Sequence, residues 1–246
     1  MSLSKEELKK KIAEHDNGKN SVLQHYVITK YRMGKIEEFS KSIPANLKGY
    51  DVMKLTEMDS DYDKLSPVGK TKIREYLDNP TLFMLLQGGS GLGKTSIAAG
   101  VCFEMLRRGW GYTAEYREVS TLLNEFSFGN KGLRGPEIIE KAVLPDILLL
   151  DDVGAGTTIS TPTRITNMQS LINKRWEQDK FTIMTTNLAV SRTGGNPNEA
   201  SIQDWFGESA WDRIAGSSVS GDSNLTRITF GGKTMRGQSS RRGTRR

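Results

Sequence analysis

The chain has 246 residues, 36% of them hydrophobic and 26% charged, enough for one sizeable domain plus an extension. One cysteine and two histidines exclude an intrachain disulfide and a usual four-ligand zinc site. No apolar run approaches the roughly 20 residues that a membrane helix needs. The opening MSLSKEELKKK also lacks the apolar centre of a signal peptide, so a cytoplasmic protein without a membrane partner is expected.

The net charge of +6 is local. The last fifteen residues, GKTMRGQSSRRGTRR, carry Lys233, Arg236, Arg241, Arg242, Arg245 and Arg246 and no acid, so residues 1–231 sum to zero. A Gly/Ser/Arg segment cannot bury enough apolar area to fold, but it can track a phosphate backbone. Three parts are expected: a helical extension over 1–42, a main domain over 43–232 and a basic tail over 233–246.

In chain order, Ser4 and Glu7 form a capping box ahead of Leu8 and Ile12. A second helix is expected from near Ser21, and a third over 35–42, before Pro44. The stretch 44–66 reads as irregular. Ser66-Pro67 then offers a cap and a first helical residue for a helix ending near Asp78. Beyond it strands and helices alternate. Strands are expected over 81–87, 112–117, 147–150, 181–185 and 225–230, and helices over 95–108, 119–126, 163–178 and 203–214. Runs such as ILLL suit strands covered on both faces, hence an α/β fold with a central parallel sheet flanked by helices.

The segment FMLLQGGSGLGKTSIAAG carries chemistry. Gly88, Gly93, Lys94 and Thr95 fit G-x-x-x-x-G-K-[ST] between an apolar strand and a helix-forming run. Glycines let backbone N–H groups curl around a phosphate, and the helix N-terminus adds partial positive charge. Gly88, Gly89, Ser90, Gly91, Leu92, Gly93, Lys94, Thr95 and Ser96 are therefore expected to bind ATP. Lys94 reaches the β- and γ-phosphates in this reading, and the Thr95 hydroxyl ligates Mg²⁺.

A P-loop needs a carboxylate at the tip of a neighbouring strand, and DILLLDDVGA supplies it. Asp151 is expected on Mg²⁺. Asp152 is expected to activate water, or otherwise to cap a helix or loop. FTIMTTNL ends in Thr185-Thr186-Asn187, an Asn placed to hold the attacking water or the γ-phosphate. The Gly-rich NEFSFGNKGLRG carries Phe128, Lys131 and Arg134, a composition that suits single-strand stacking and phosphate contact, whereas Phe126 has a core reading. Trp176 falls on the apolar stripe of Ile165, Met168, Leu171 and Ile172 and reads as packing.

With WDRI and FGGKTMR added, the ensemble over about residues 45–236 resembles the AAA+ ATPases of the DnaC/DnaI/IstB group, helicase loaders and transposition helper ATPases. The resemblance implies an arginine finger at Arg213, acting on a neighbouring subunit, against a local reading as an ion pair with Glu208 or Asp212. It implies a nucleotide sensor at Arg236, with Arg227 as competitor. It also implies a DnaC-like DNA replication protein that binds ATP and Mg²⁺, single-stranded DNA, a DnaB-type ring helicase and copies of itself in a ring or spiral; the charge of the tail adds Arg241 and Arg242 as expected DNA contacts. The Walker B motif ends Asp-Asp where Asp-Glu is more common, which leaves the hydrolysis rate open. An IstB-like transposition helper, a small-molecule P-loop kinase and a clamp that hardly turns ATP over are the alternatives.

Overall fold

The computed structural model describes residues 21–48, 50–109, 112–155, 162–191, 200–216 and 223–232. The expected capping box at Ser4 lies outside them. The first described element, α1 (Ser21–Ser42), is one continuous helix where two are expected. Gly34 sits mid-helix with nothing within 4 Å of a Cβ built there, so the helix runs through it at a cost of about 1 kcal/mol relative to alanine. Near its end α1 buries Phe39 completely, edge-on to Phe103 with ring centroids 5.0 Å apart.

The stretch expected to be irregular is partly ordered by its own polar groups. It holds a 3₁₀ turn (Ala45–Leu47) and a short helix α2 (Val52–Leu55), whose cap Asp51 accepts from the Lys54 N–H. Buried Lys70 donates to the carbonyls of Glu57 and Ser60 and to the Ser60 hydroxyl, so one ammonium satisfies three acceptors of the loop. That lysine belongs to α3 (Pro67–Asp78), which starts as expected, with the Ser66 hydroxyl accepting from Gly69 N–H.

The alternating part follows as β1 (Phe83–Gln87), α4 (Lys94–Arg108), β2 (Ala114–Glu118), α5 (Val119–Phe128), α6 (Gly135–Val143), β3 (Ile147–Val153), α7 (Pro162–Glu177), β4 (Phe181–Thr186), α8 (Ile202–Phe206), α9 (Glu208–Ala215) and β5 (Leu225–Thr229). One helix was not expected, and one expectation fails. The segment after the Gly-rich loop forms α6, begun by Pro136 in its first turn and buried through Ile138, Ile139, Ala142 and Val143. The helix expected over 203–214 is two helices, because Gly207 adopts φ 75° between α8 and α9.

All five strands are parallel, in the order β2-β3-β4-β1-β5. Central β1 shows why its apolar run is unbroken. Met84 and Leu86 join the layer with Ile73, Ile97 and Leu106, whereas Phe83 and Leu85 join the layer with Leu122, Leu171 and Phe206. Arg175 is fully buried between the layers' ends and donates to the carbonyls of Ala142, Val143, Pro145 and Phe181 and to the Thr182 hydroxyl. Burial pushes its guanidinium pKa below the ordinary arginine range, opposed through space by Asp146 and Glu115, and the ring of carbonyls compensates the cation. Among the described residues no helix is long and apolar enough to cross a membrane.

Candidate functional site

The carboxyl ends of β1, β3 and β4 open on one cleft of about 410 Å³. One wall is the turn from β1 into α4. A Cβ at Gly88 would lie 2.8 Å from the Phe230 carbonyl oxygen. Gly93 has φ 83°, and a Cβ there would lie 2.7 Å from the Tyr62 hydroxyl. Both positions therefore demand glycine, and the turn stays pressed against the sheet with its backbone facing the cleft. Ser90, Gly91, Gly93, Lys94, Thr95 and Ser96 line it. Leu92 turns its side chain into the core, and its carbonyl accepts from the Tyr62 hydroxyl at 3.1 Å. Gly89 offers its carbonyl to Lys94 Nζ at 2.8 Å.

Lys94 is only 7% exposed and also donates to Asn187 Oδ1 at 2.8 Å. Asn187 in turn donates through Nδ2 to Asp152 Oδ1 at 3.2 Å. The three residues expected to surround a γ-phosphate thus form one chain across the cleft.

Asp151 lies at the root of the cleft. Its Oδ1 accepts from Thr95 Oγ1 at 2.8 Å and from Thr185 Oγ1 at 2.6 Å, and its Oδ2 accepts from Tyr116 OH at 3.0 Å. Burial, then the charge of Asp151, raises the Tyr116 phenol pKa above its ordinary range. Among the described residues no cluster of three or more His, Cys, Asp or Glu is available to cage a metal. One carboxylate beside one threonine hydroxyl matches the donor set of Mg²⁺, which keeps waters and shares its shell with phosphates. Asp152 sits where β3 and β4 lose register between Leu150 and Val153, with φ 59°. That bulge brings the second acid within reach of the Asn187 amide.

Asn46, Leu47 and Tyr50 close the far side of the cleft. They come from the stretch read as irregular, and no local motif marks them. Tyr116 and Thr185 were likewise without an assigned role; the signal was a hydroxyl near the tip of each strand flanking the Walker B strand.

The remaining expected residues stand apart. Arg213, on α9, does not line the cleft. Its Nη1 donates to the Ser209 carbonyl and hydroxyl at 3.0 and 2.8 Å, and its guanidinium carbon lies 5.5 Å from the Trp176 ring centroid. Among the described residues neither Glu208 nor Asp212 forms an ion pair with it, so the alternative local reading is not what holds Arg213 in place. Trp176 is 37% exposed, so it forms a seat for an arginine and is not core packing as expected. Arg227 donates twice to Gln87 Oε1 and does not line the cleft either. Phe126 is core, but Phe128 is 85% exposed. It precedes a tight turn in which Asn130 and Leu133 exchange both backbone hydrogen bonds, Lys131 having φ 48° and Gly132 φ 82°. Lys131 and Arg134 are exposed beside it. Arg236, Arg241 and Arg242 lie outside the described residues.

Residues 53–204 match the family described as IstB-like ATP binding protein. No curated protein sequence matches the chain. Among solved structures the chain is similar to the crystal structure of the DnaC helicase loader, at 18% identity and a TM-score of 0.51, over 78% of this chain and 99% of that one. It is similar to the crystal structure of DnaI at 16% identity and a TM-score of 0.55, over 77% and 95%. The likeness is one of fold: an AAA+ P-loop sheet with helices on both faces.

Proposed function

Since the chain belongs to the family of IstB-like ATP-binding proteins, we propose that it is a Mg²⁺-dependent ATPase that helps load a ring helicase onto DNA, its nucleotide state governing its hold on the partner. The observation that carries the reading is the continuous polar chain Lys94–Asn187–Asp152 beside the Asp151–Thr95 pair. Binding, metal and water-positioning groups converge on one cleft.

In this reading Thr95 and Asp151 hold Mg²⁺, which when bound supplies charge neutralisation on the β- and γ-phosphate oxygens. Lys94 exchanges Gly89 and Asn187 for the phosphates. Asn187, released from the lysine, keeps its bond to Asp152, so the amide and the carboxylate together orient the attacking water, with Asp152 as the proton acceptor. Asn46, Leu47 and Tyr50 face the base end of the nucleotide. Arg213 on α9 completes the γ-phosphate site of a neighbouring copy, so hydrolysis depends on assembly in a ring or spiral. Arg236 acts as the nucleotide sensor. Phe128, Lys131 and Arg134 contact single-stranded DNA, with Arg241 and Arg242 adding phosphate contacts from the tail.

Similarity to the DnaC helicase loader supports a DnaB-type ring helicase as partner. The match to the IstB-like family supports a second reading with the same chemistry, a transposition helper that binds duplex DNA and a transposase. Two experiments test these readings. ATP affinity of Lys94→Ala checks the site: removing one partner of a buried charge contact costs on the order of 2–5 kcal/mol, so undiminished affinity rejects it. Pull-down of a DnaB-type helicase with ATP and single-stranded DNA, against a transposase with duplex DNA, separates the two partners.

A further inference from the structure

We propose that Thr185 and Tyr116 are positioning residues that hold Asp151 for the nucleotide-bound divalent cation, and that Thr185 in addition sets the backbone of Asp152. The inference rests on the nucleotide-site reading above.

Asp151 is 9% exposed, and among the described residues no ion pair reaches it. A buried carboxylate without a cation needs donors. It has three, all hydroxyls, from Thr95, Thr185 and Tyr116. The Thr95 oxygen is the one committed to the metal when nucleotide binds. The lasting constraints on the carboxylate plane are therefore Thr185 on Oδ1 and Tyr116 on Oδ2. They come from the two strands that flank β3, so the acid is gripped from both sides of its own strand.

Thr185 does a second job. A hydroxyl has one proton to donate and lone pairs to accept with. Its proton goes to Asp151, and its oxygen accepts the Asp152 N–H at 2.9 Å. That N–H lies in the bulge, where Asp152 holds a left-handed conformation that non-glycine residues seldom adopt. One side chain, 1% exposed, thus fixes the metal carboxylate and the departure angle of Asp152, the proposed proton acceptor, together.

The test uses the full chain and Mn²⁺, titrated at saturating ADP with free Mn²⁺ read by electron paramagnetic resonance. Loss of an outer partner of a metal ligand weakens affinity by about 10- to 100-fold. Tyr116→Phe and Thr185→Val are each expected to weaken Mn²⁺ binding by about tenfold, and Thr185→Ser to restore it. Thr185→Val should also lower kcat more than Tyr116→Phe does, because only the valine variant releases Asp152. Binding of a fluorescent ADP analogue in EDTA should be unchanged in every variant. Mn²⁺ affinities equal to wild type in both the Phe and Val variants overturn the proposal, as does failure of serine to restore affinity. If Thr185→Val does not fold, Tyr116→Phe decides: unchanged affinity overturns the proposal, a tenfold loss supports it. A wild-type chain that binds neither ADP nor Mn²⁺ rejects the nucleotide site itself, a distinct outcome.

Discussion

The cleft and the Arg213 seat differ in how far one chain completes them. In the cleft the charged groups at its centre have intrachain partners: Lys94 meets Gly89 and Asn187, and Asp151 meets three hydroxyls. The Arg213 guanidinium does not line the cleft; it is laid over a partly exposed tryptophan and bonded through Nη1 to Ser209, and its buried Nε has no hydrogen-bond partner among the described residues. A charged group that a chain holds in place but does not pair with an acid suits a contact made elsewhere. In the function proposed above, the cleft binds within one subunit and the seat presents a cation to another.

The sharpest way to break this contrast is Arg213→Ala. Acting across subunits, an arginine finger is worth about 10³-fold or more in phosphoryl transfer. Assembly-stimulated hydrolysis should fall by that order while ATP binding to single subunits stays intact. Mixing this variant with Lys94→Ala should recover part of the rate, since mixed interfaces contain one intact P-loop and one intact finger. No recovery from folded, co-assembling proteins would place Arg213 at the service of its own subunit.

Next in size is Asp152→Asn. Asparagine tolerates the left-handed conformation that Asp152 holds, so the substitution removes the carboxylate and leaves the bulge in place. Turnover should drop by about 10²-fold, the lower end of a general base's contribution, with ATP affinity unchanged. Equal turnover measured in a coupled ATPase assay would leave Asn187 to position the water alone.

A smaller effect sharpens the description of the seat. A cation–π contact at a partly exposed site contributes about 0.5–1 kcal/mol. Trp176→Ala should therefore reduce assembly-stimulated hydrolysis by roughly two- to fivefold, and Trp176→Phe by less. A thermal melt checks that stability is retained. If Trp176→Ala acts only on stability, the tryptophan is packing after all.

The smallest effect concerns DNA. Deleting 237–246 removes Arg241, Arg242, Arg245 and Arg246. At about 0.7 per neutralised phosphate on single strands, the slope of log affinity against log salt should flatten by up to about 3. An unaltered slope assigns DNA binding to the turn near Phe128 or to no part of this chain.

Much of the fold was legible because its signals are local. The unbroken apolar runs at 83–86 and 147–150 marked central strands, since a parallel sheet buries both faces of each. Elements settled by less local balances were misread. The α1 helix continues through Gly34 because its end is pinned at Phe39, and the helix expected over 203–214 divides because one glycine between buried Phe206 and Trp211 takes a positive φ.

The sequence by itself determined the phosphate loop, its lysine and threonine, and the Asp-Asp pair, because each is a contiguous run whose backbone chemistry is set by neighbours in the chain. Only the tertiary structure decided what holds them. Thr95, Tyr116 and Thr185 reach Asp151 across 56, 35 and 34 residues, and Lys94 reaches Asn187 across 93. Those contacts exist because β3 lies between β2 and β4, with β1 beyond β4. Strand order is fixed by how two apolar layers pack, a property of the whole chain that no single motif contains.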